Sequence, residues 1–487
     1  MLNFDNSYSR LPERFFAKVN PEQFSKPELI AFNRELAKDT LGLDLESLSD
    51  EALADLFTGQ MIPEGATPIA MAYAGHQFGN FSHQLGDGRA ILLGEIVSPQ
   101  GQRFDIQLKG AGRTPFSRGG DGKAALGPVI REYILSEAMH ALGVPTTRAL
   151  AATTTGDKIL REQILPGGVV TRVAASHIRV GTFEFFSARS DFDALETLAN
   201  YCINRHYPFI AMPADDDADS AFNIYLEFLQ AVAHAQACMV AKWMSLGFIH
   251  GVMNTDNMSI SGETIDYGPC AFMDNYAADR VFSSIDRQGR YAYNNQIPIA
   301  KWNLIRLANC LLPLIHEDEA QAVKMTQESL DSYFDIYEQE WLEAMTKKIG
   351  IFKPMEEDRK LIDLWLNLLA AEDLDFSLSF RALSDPHSEL KNNPRLESFY
   401  TAWQERLNNQ TQDFDESIEL MNSVNPVFIP RNHQVERAIE AALQGDFSVF
   451  NEMNECLKSP YQEQPRFAAY RLAPKPEERV AATFCGT

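Results

Sequence analysis

The chain has 487 residues, 45% of them hydrophobic, enough to bury at least one large core and, on length, two or three domains' worth of material. Its 67 acidic against 43 basic side chains leave a formal net charge of −24, which opposes non-specific attraction to nucleic acid or to anionic membranes and admits a polyanion only where Arg, Lys, metal and backbone N–H groups gather locally. The first ten residues carry no cationic segment leading into an apolar run, and no stretch approaches the ~18 apolar residues of a membrane span, so a cytoplasmic protein with neither nucleic acid nor membrane as partner is expected.

Taken in chain order, residues 1 to about 60 show helical apolar spacing in pieces, as at 27–36, separated by Pro and Ser-Asp signals. They read as part of an N-terminal extension, 1–75, that wraps the core. Between 80 and 109 the texture changes to short β-rich runs with turns between them: Phe81 to Leu85, the turn Gly86-Asp-Gly88-Arg89, Ala90 to Ile96, and Phe104 to Lys109. This predicts an antiparallel meander. A Gly- and Arg-rich connection then leads to a helix from about Pro128 to Leu142, closed by Gly143. A long buried helix is predicted over 222–246, ending at Gly247, and amphipathic helices dominate from about 300 onward. The expected architecture is α+β: a small sheet-bearing lobe over 76–190, a helical lobe over 191–300 and a helical C-terminal region over 301–487.

Six cysteines, Cys202, Cys238, Cys270, Cys310, Cys456 and Cys485, lie far apart with no C-x-x-C pair. Neither a zinc site nor a secreted disulfide framework is indicated. Cys485 stands third from the end, where a thiol is accessible.

The order of polar signals points to phosphate chemistry and resembles that of a protein kinase: a Gly turn, a Lys ending the next strand, a Glu in the next helix, then two carboxylate-bearing loops. Gly86 and Gly88 would let backbone N–H groups approach a nucleotide, although a lone G-x-G also fits an ordinary hairpin turn. Lys109 closes its strand as the phosphate-holding Lys of a kinase does. Glu137 is the expected partner that would aim its ammonium, and Glu132, on a different face of the helix, is the rival. In His250-Gly-Val-Met-Asn-Thr-Asp256-Asn257, His250 and Asn257 keep the spacing of the kinase catalytic loop, and Asp266-Tyr-Gly268 matches the metal-binding D-F-G. A carboxylate and an amide oxygen there suit a hard divalent cation against a polyphosphate. The match breaks at Val252, which occupies the position of the kinase catalytic Asp and cannot accept a proton. Asp256 is the nearest substitute.

Five segments together, Gly75-His-Gln-Phe-Gly79, the run 84–89, the run 107–118, the run 250–259 and the run 266–274, resemble the selenoprotein O family, whose bacterial members are called YdiU. The resemblance extends from about residue 8 to the C-terminus. It implies a two-lobed pseudokinase fold that binds ATP in a flipped orientation and transfers AMP to Ser, Thr or Tyr hydroxyls of other proteins, releasing pyrophosphate. It further implies that Gly86, Gly88, Arg89, Lys109, Asp121 and Gly122 contact the nucleotide. Arg172 and Arg179 would hold the inverted phosphates, Asp256 would be the base, and Asn257 and Asp266 would bind Mg²⁺ or Mn²⁺. A spacing of seven places the two arginines on one face if the segment is helical. The resemblance also implies a redox pair between Cys270 and Cys485. The expected partners are ATP and proteins with acceptor hydroxyls, and a monomer is expected. UMP transfer from UTP, phosphate transfer and a non-catalytic nucleotide-binding regulator are the competing readings. Val252 argues against a kinase; Lys109, Asn257 and Asp266 argue against a silent regulator.

Overall fold

The computed structural model describes residues 2–210 and 222–484. The centre of the N-terminal half is an eight-stranded sheet made of β1 (Phe16–Lys18), β2 (Glu28–Phe32), β3 (Ile69–Met71), β6 (Ala90–Val97), β7 (Arg103–Lys109), β8 (Ala124–Ala125), β9 (Arg148–Leu160) and β10 (Ile164–Ala174). Its order is β1-β3-β6-β7-β10-β9-β2, with β8 on β10 and every pairing antiparallel. A separate two-stranded hairpin, β4 (Gly75–Gln77) and β5 (Asn80–Ser82), stands apart from it.

Two expectations change here. The run at 27–36 is strand β2 over 28–32 and turns helical only from residue 34: Leu29 and Phe32 pair with Thr153 and Ala151 of β9. A sheet edge needing a partner overrides the local helical spacing. The extension therefore supplies both edges of the sheet, β1 on one side and β2 on the other. Phe81 likewise does not begin the meander; it pairs with His76 in the small hairpin, and the meander starts at β6.

Alternation along the strands sends side chains to two faces, and a register shift that leaves Leu150 of β9 unpaired breaks the period there. Ala149, Ala152 and Val170 pack beneath α2 (Leu126–Ala141), on which the C-terminal α13 (Asn432–Leu443) and α14 (Ser448–Leu457) also sit. Leu150, Ala151, Val169 and Val173 pack on the opposite face against Leu53 and Phe57 of α1 (Asp50–Thr58).

The helical mass is built on α5 (Ile224–Leu246), which packs against α6 (Gln296–Ile315) and α8 (Tyr333–Lys348). The Asn223 side chain accepts from the N–H groups of Tyr225 and Leu226 to start α5, and Gly247 ends it with φ +69°. Among the described residues α5 is the one helix long and apolar enough to cross a membrane by length and composition. Half of its most apolar window is buried against its neighbours, as in a core helix. Between α2 and α5 lie α3 (Val180–Ser187) and α4 (Phe192–His206).

Candidate active site

Register within the sheet explains how the charged groups meet. Gln107 and Lys109 share a face of β7 because they are two residues apart, and Arg172 of β10 lies directly opposite Gln107. Lys109 Nζ donates to Glu132 Oε2 of α2 and to Asp266 Oδ1, each at 2.7 Å. Arg172 donates to the same two carboxylates. Arg179 lies 3.4 Å from Asp87 and 3.9 Å from Asp266 Oδ2, with its guanidinium 4.3 Å from the ring of Tyr73. Gln107 ties the network together by accepting from Arg172 at 3.4 Å and donating to Asp87 at 3.2 Å.

Three cations, Lys109, Arg172 and Arg179, thus face three carboxylates, Glu132, Asp266 and Asp87. Burial alone would raise Asp266, but Arg172, Lys109 and Arg179 outweigh it and hold the carboxyl well below the ordinary range. The same contest, settled by Arg172 and Lys109, lowers Glu132. Asp266 has φ +66°, a left-handed conformation uncommon for a non-glycine residue, and 26% of its side chain remains exposed. The loop around it is anchored from three sides. His250 Nε2 bonds to Ile265 O at 2.8 Å, Tyr267 bonds to Thr146, and Arg131 donates to Gly268 O and Cys270 O at 2.8 and 2.6 Å.

Asp256 lies in a short turn, Thr255–Asn257, clasped by the β4–β5 hairpin. Its neighbour Thr255 is held by the His76 N–H at 2.7 Å and by Glu184 of α3, and Asn254 Oδ1 accepts from the Phe78 N–H and from the Tyr291 hydroxyl. Gln77 Nε2 donates to Asp256 Oδ2 at 3.1 Å, whereas Asp256 Oδ1 is buried without a hydrogen-bond partner. A Cβ on Gly75 would stand 2.8 Å from that oxygen, so a larger residue there would have to push the carboxylate aside. Burial pushes Asp256 up to about 6 against the opposing pull of Gln77 and Arg179.

The structure therefore brings together Lys109, Arg172, Arg179 and Asp266, and it corrects the expected ion pair. Glu137 does not reach Lys109: it binds Arg148 at 2.7 Å and Asn33 at 2.7 Å, and Glu132 takes the lysine. Five residues of helix turn the two glutamates to different faces, and the face of α2 toward β7 carries Glu132. Nor is the segment between the arginines helical. Arg172 is in β10 and Arg179 is the N-cap of α3, so their meeting is tertiary.

Gly86 has φ +75°, and a Cβ there would collide with the ring of Phe116, while Thr114 and Ser117 hydrogen-bond to the carbonyls of Asp87 and Gly88. The turn with Arg89 is buttressed by the 114–117 loop and is not a free hairpin. Asp121 is bound by Arg161 at 2.8 Å, and Gly122 O accepts from the Gly112 N–H, which closes the glycine-rich connection on itself. Asn257 Nδ2 donates to Val252 O at 3.0 Å. Cys485 lies outside the described residues, so the expected pair with the buried Cys270 is not described. Sequence reasoning assigned no role to Gln77, Asp87, Gln107 or Tyr73; the Gly75–Gly79 motif was the signal for the first of them.

For a divalent cation the donor set fits in kind. Asp266 offers a partly exposed carboxylate, and the Asn257 amide spends its N–H on Val252, leaving its carbonyl oxygen as donor. Among the described residues no three His, Cys, Asp or Glu side chains form a metal cluster. An ion here would complete its shell from phosphate oxygens and water, as Mg²⁺ commonly does.

Comparison with known proteins gives the family. The family model described as protein adenylyltransferase SelO matches residues 1–458. A protein nucleotidyltransferase YdiU of Rhizobium etli is 54% identical over 495 residues, covering 99% of this chain and 97% of that protein. The protein of the same name in Agrobacterium fabrum is 52% identical over 496 residues, covering all of both. That of Anoxybacillus flavithermus is 51% identical over 486 residues, covering 100% of this chain and 99% of that protein. The chain belongs to the SelO family and is a nucleotidyltransferase.

Proposed function

We propose that this protein, on a kinase-like core, transfers AMP from ATP to Ser, Thr or Tyr hydroxyls of acceptor proteins and releases pyrophosphate. The observation that carries the reading is the convergence of Lys109, Arg172 and Arg179 on Asp266, beside a buried Asp256 with one unpartnered oxygen. Such a cluster suits a polyphosphate, whose charge the rest of this acidic chain repels.

In the reaction, Asp256 removes the proton of the acceptor hydroxyl as its oxygen bonds to the α-phosphorus. The bond from that phosphorus to the bridging oxygen breaks, and the electron pair leaves with pyrophosphate. A carboxylate poised near 6 is suited to this, being ionised at neutral pH while still basic enough to accept a proton. Gln77 holds the carboxylate through Oδ2, and Oδ1 is left without a hydrogen-bond partner. Lys109, Arg172 and Arg179 take up charge on the phosphates. A Mg²⁺ or Mn²⁺ ion held by Asn257 and Asp266 would offset the charge of the polyphosphate.

Mass spectrometry of an acceptor protein incubated with this enzyme and either ATP or UTP tests the reading. A gain of one adenylyl group from ATP, absent with the Asp256→Asn variant, is expected. A gain of phosphate alone, or of UMP in place of AMP, would contradict it.

A further inference from the structure

Trp302 and Arg306 are four residues apart on α6, on the same face of the helix. The guanidinium of Arg306 lies 4.8 Å from the Trp302 ring centroid, and the guanidinium of Arg290, from the loop before α6, lies at the same 4.8 Å. In a chain with 24 more acidic than basic groups, neither arginine has a carboxylate within ion-pair distance among the described residues, and the Nε of each is buried without a hydrogen-bond partner. Two like charges on one indole repel each other. An arriving anion would relieve that repulsion by pairing with the two guanidinium groups, whose side chains are only half-buried.

The place of this cluster limits its ligand. Successive residues of β4 face opposite ways: Gln77 reaches Asp256, whereas His76 meets Trp302 at 5.2 Å. Gly79 in the turn of the same hairpin packs beside the Arg290 guanidinium, and Tyr291 next to it donates to Asn254, two residues before Asp256. The hairpin thus stands between the cluster and the base. The cations suited to phosphates, Lys109, Arg172 and Arg179, are gathered elsewhere on Asp266.

We propose that Arg290, Trp302 and Arg306 form a docking site for an acidic side chain of the acceptor protein, near in sequence to the hydroxyl that Asp256 deprotonates. The proposal rests on the function proposed above. Arg presents a planar fork that binds carboxylate in two-pronged fashion, and an aromatic ring keeps that fork in place.

The test is a panel of synthetic peptides with one Ser, Thr or Tyr in which a single Glu, Gln or Lys is moved position by position, assayed with ATP labelled on the α-phosphate. The wild-type enzyme is expected to prefer Glu at one position or two adjacent ones by ~10-fold or more, the scale of a charge-assisted hydrogen bond. The double variant Arg290→Gln/Arg306→Gln is expected to lose that preference while ATP affinity holds. Arg306→Glu is expected to turn the preference toward Lys, a gain that a misfolded variant cannot produce. Absence of any Glu preference in the wild type overturns the proposal, as does loss of ATP affinity in the double variant, which would assign the arginines to the nucleotide. If no peptide takes the label, the proposed function is at fault. Docking is then read from fluorescence anisotropy of a labelled Glu-bearing peptide, where equal affinity for the wild type and the double variant overturns it.

Discussion

Gln77 Nε2 sits 3.1 Å from Oδ2 of Asp256, joining residues 179 apart in the chain, and it leaves the other carboxylate oxygen with no partner. The amide of one hairpin thus decides which oxygen of Asp256 is left without a partner. Replacing Gln77 by Leu removes a hydrogen bond to a charged acceptor and frees the carboxylate to rotate. Transfer is expected to slow ~10-fold or more with ATP affinity little changed, as read by single-turnover kinetics beside a nucleotide-binding titration. Equal losses in rate and affinity would show that Gln77 acts on the nucleotide instead.

Glu132 and Glu137 make opposite predictions although both lie on α2. Glu132→Gln leaves the buried Lys109 and Arg172 sharing Asp266 alone, and removal of one partner from a buried ion pair typically costs ~3–5 kcal/mol. Denaturant unfolding is expected to show a loss on that scale, accompanied by altered ATP binding. Glu137→Gln gives up the contact with Arg148, and ATP affinity is expected to stay at the wild-type value. A fall in affinity with Glu137→Gln would reinstate it as the partner of Lys109.

Asp266→Asn carries a less intuitive expectation. With three cations balanced by three carboxylates, phosphates must compete with Asp266 for Lys109 and Arg172 unless something else takes that carboxylate. Removing its charge is expected to raise ATP affinity several-fold in the presence of EDTA while abolishing transfer in Mg²⁺. Weaker ATP binding in EDTA than the wild type would count against this electrostatic balance.

Lys348 offers a test of the helical region away from the site. It is buried with its ammonium 4.6 Å from the ring of Phe380, and burial lowers it to about 7 from 10.5. Between about pH 7 and 10 the unfolded chain holds this proton and the folded chain does not, so stability rises with pH across that window. Lys348→Met is expected to raise the melting temperature at pH 7 and to remove up to ~1.4 kcal/mol per pH unit from the slope of stability against pH in that window. An unchanged slope would mean that Lys348 keeps its charge in the fold.

What was legible in the sequence was what is local. His250, Asp256, Asn257 and Asp266 stand within one stretch of 17 residues, and their types and spacing singled that stretch out as the candidate loop. The long helix α5 was legible from its periodicity and its terminal glycine. What depended on docking was not. Which glutamate of α2 meets Lys109 is set by the rotation of that helix over the sheet, and its buried stripe includes both Arg131 and Glu132. β2 resembles a helix until the exposed edge of β9 is known to need a partner. Gln77 gave no signal of its own because a glutamine reveals its acceptor only when the chain has folded.

The measurement that bears most directly on the central claim is a paired incubation of the purified protein and an acceptor protein with ATP labelled on the α- or on the γ-phosphate, using wild type and Asp256→Asn. The account predicts covalent label from the α-phosphate only, released pyrophosphate in equal amount, and loss of both with Asp256→Asn under conditions where that variant still binds ATP. Label from the γ-phosphate without label from the α-phosphate would contradict it.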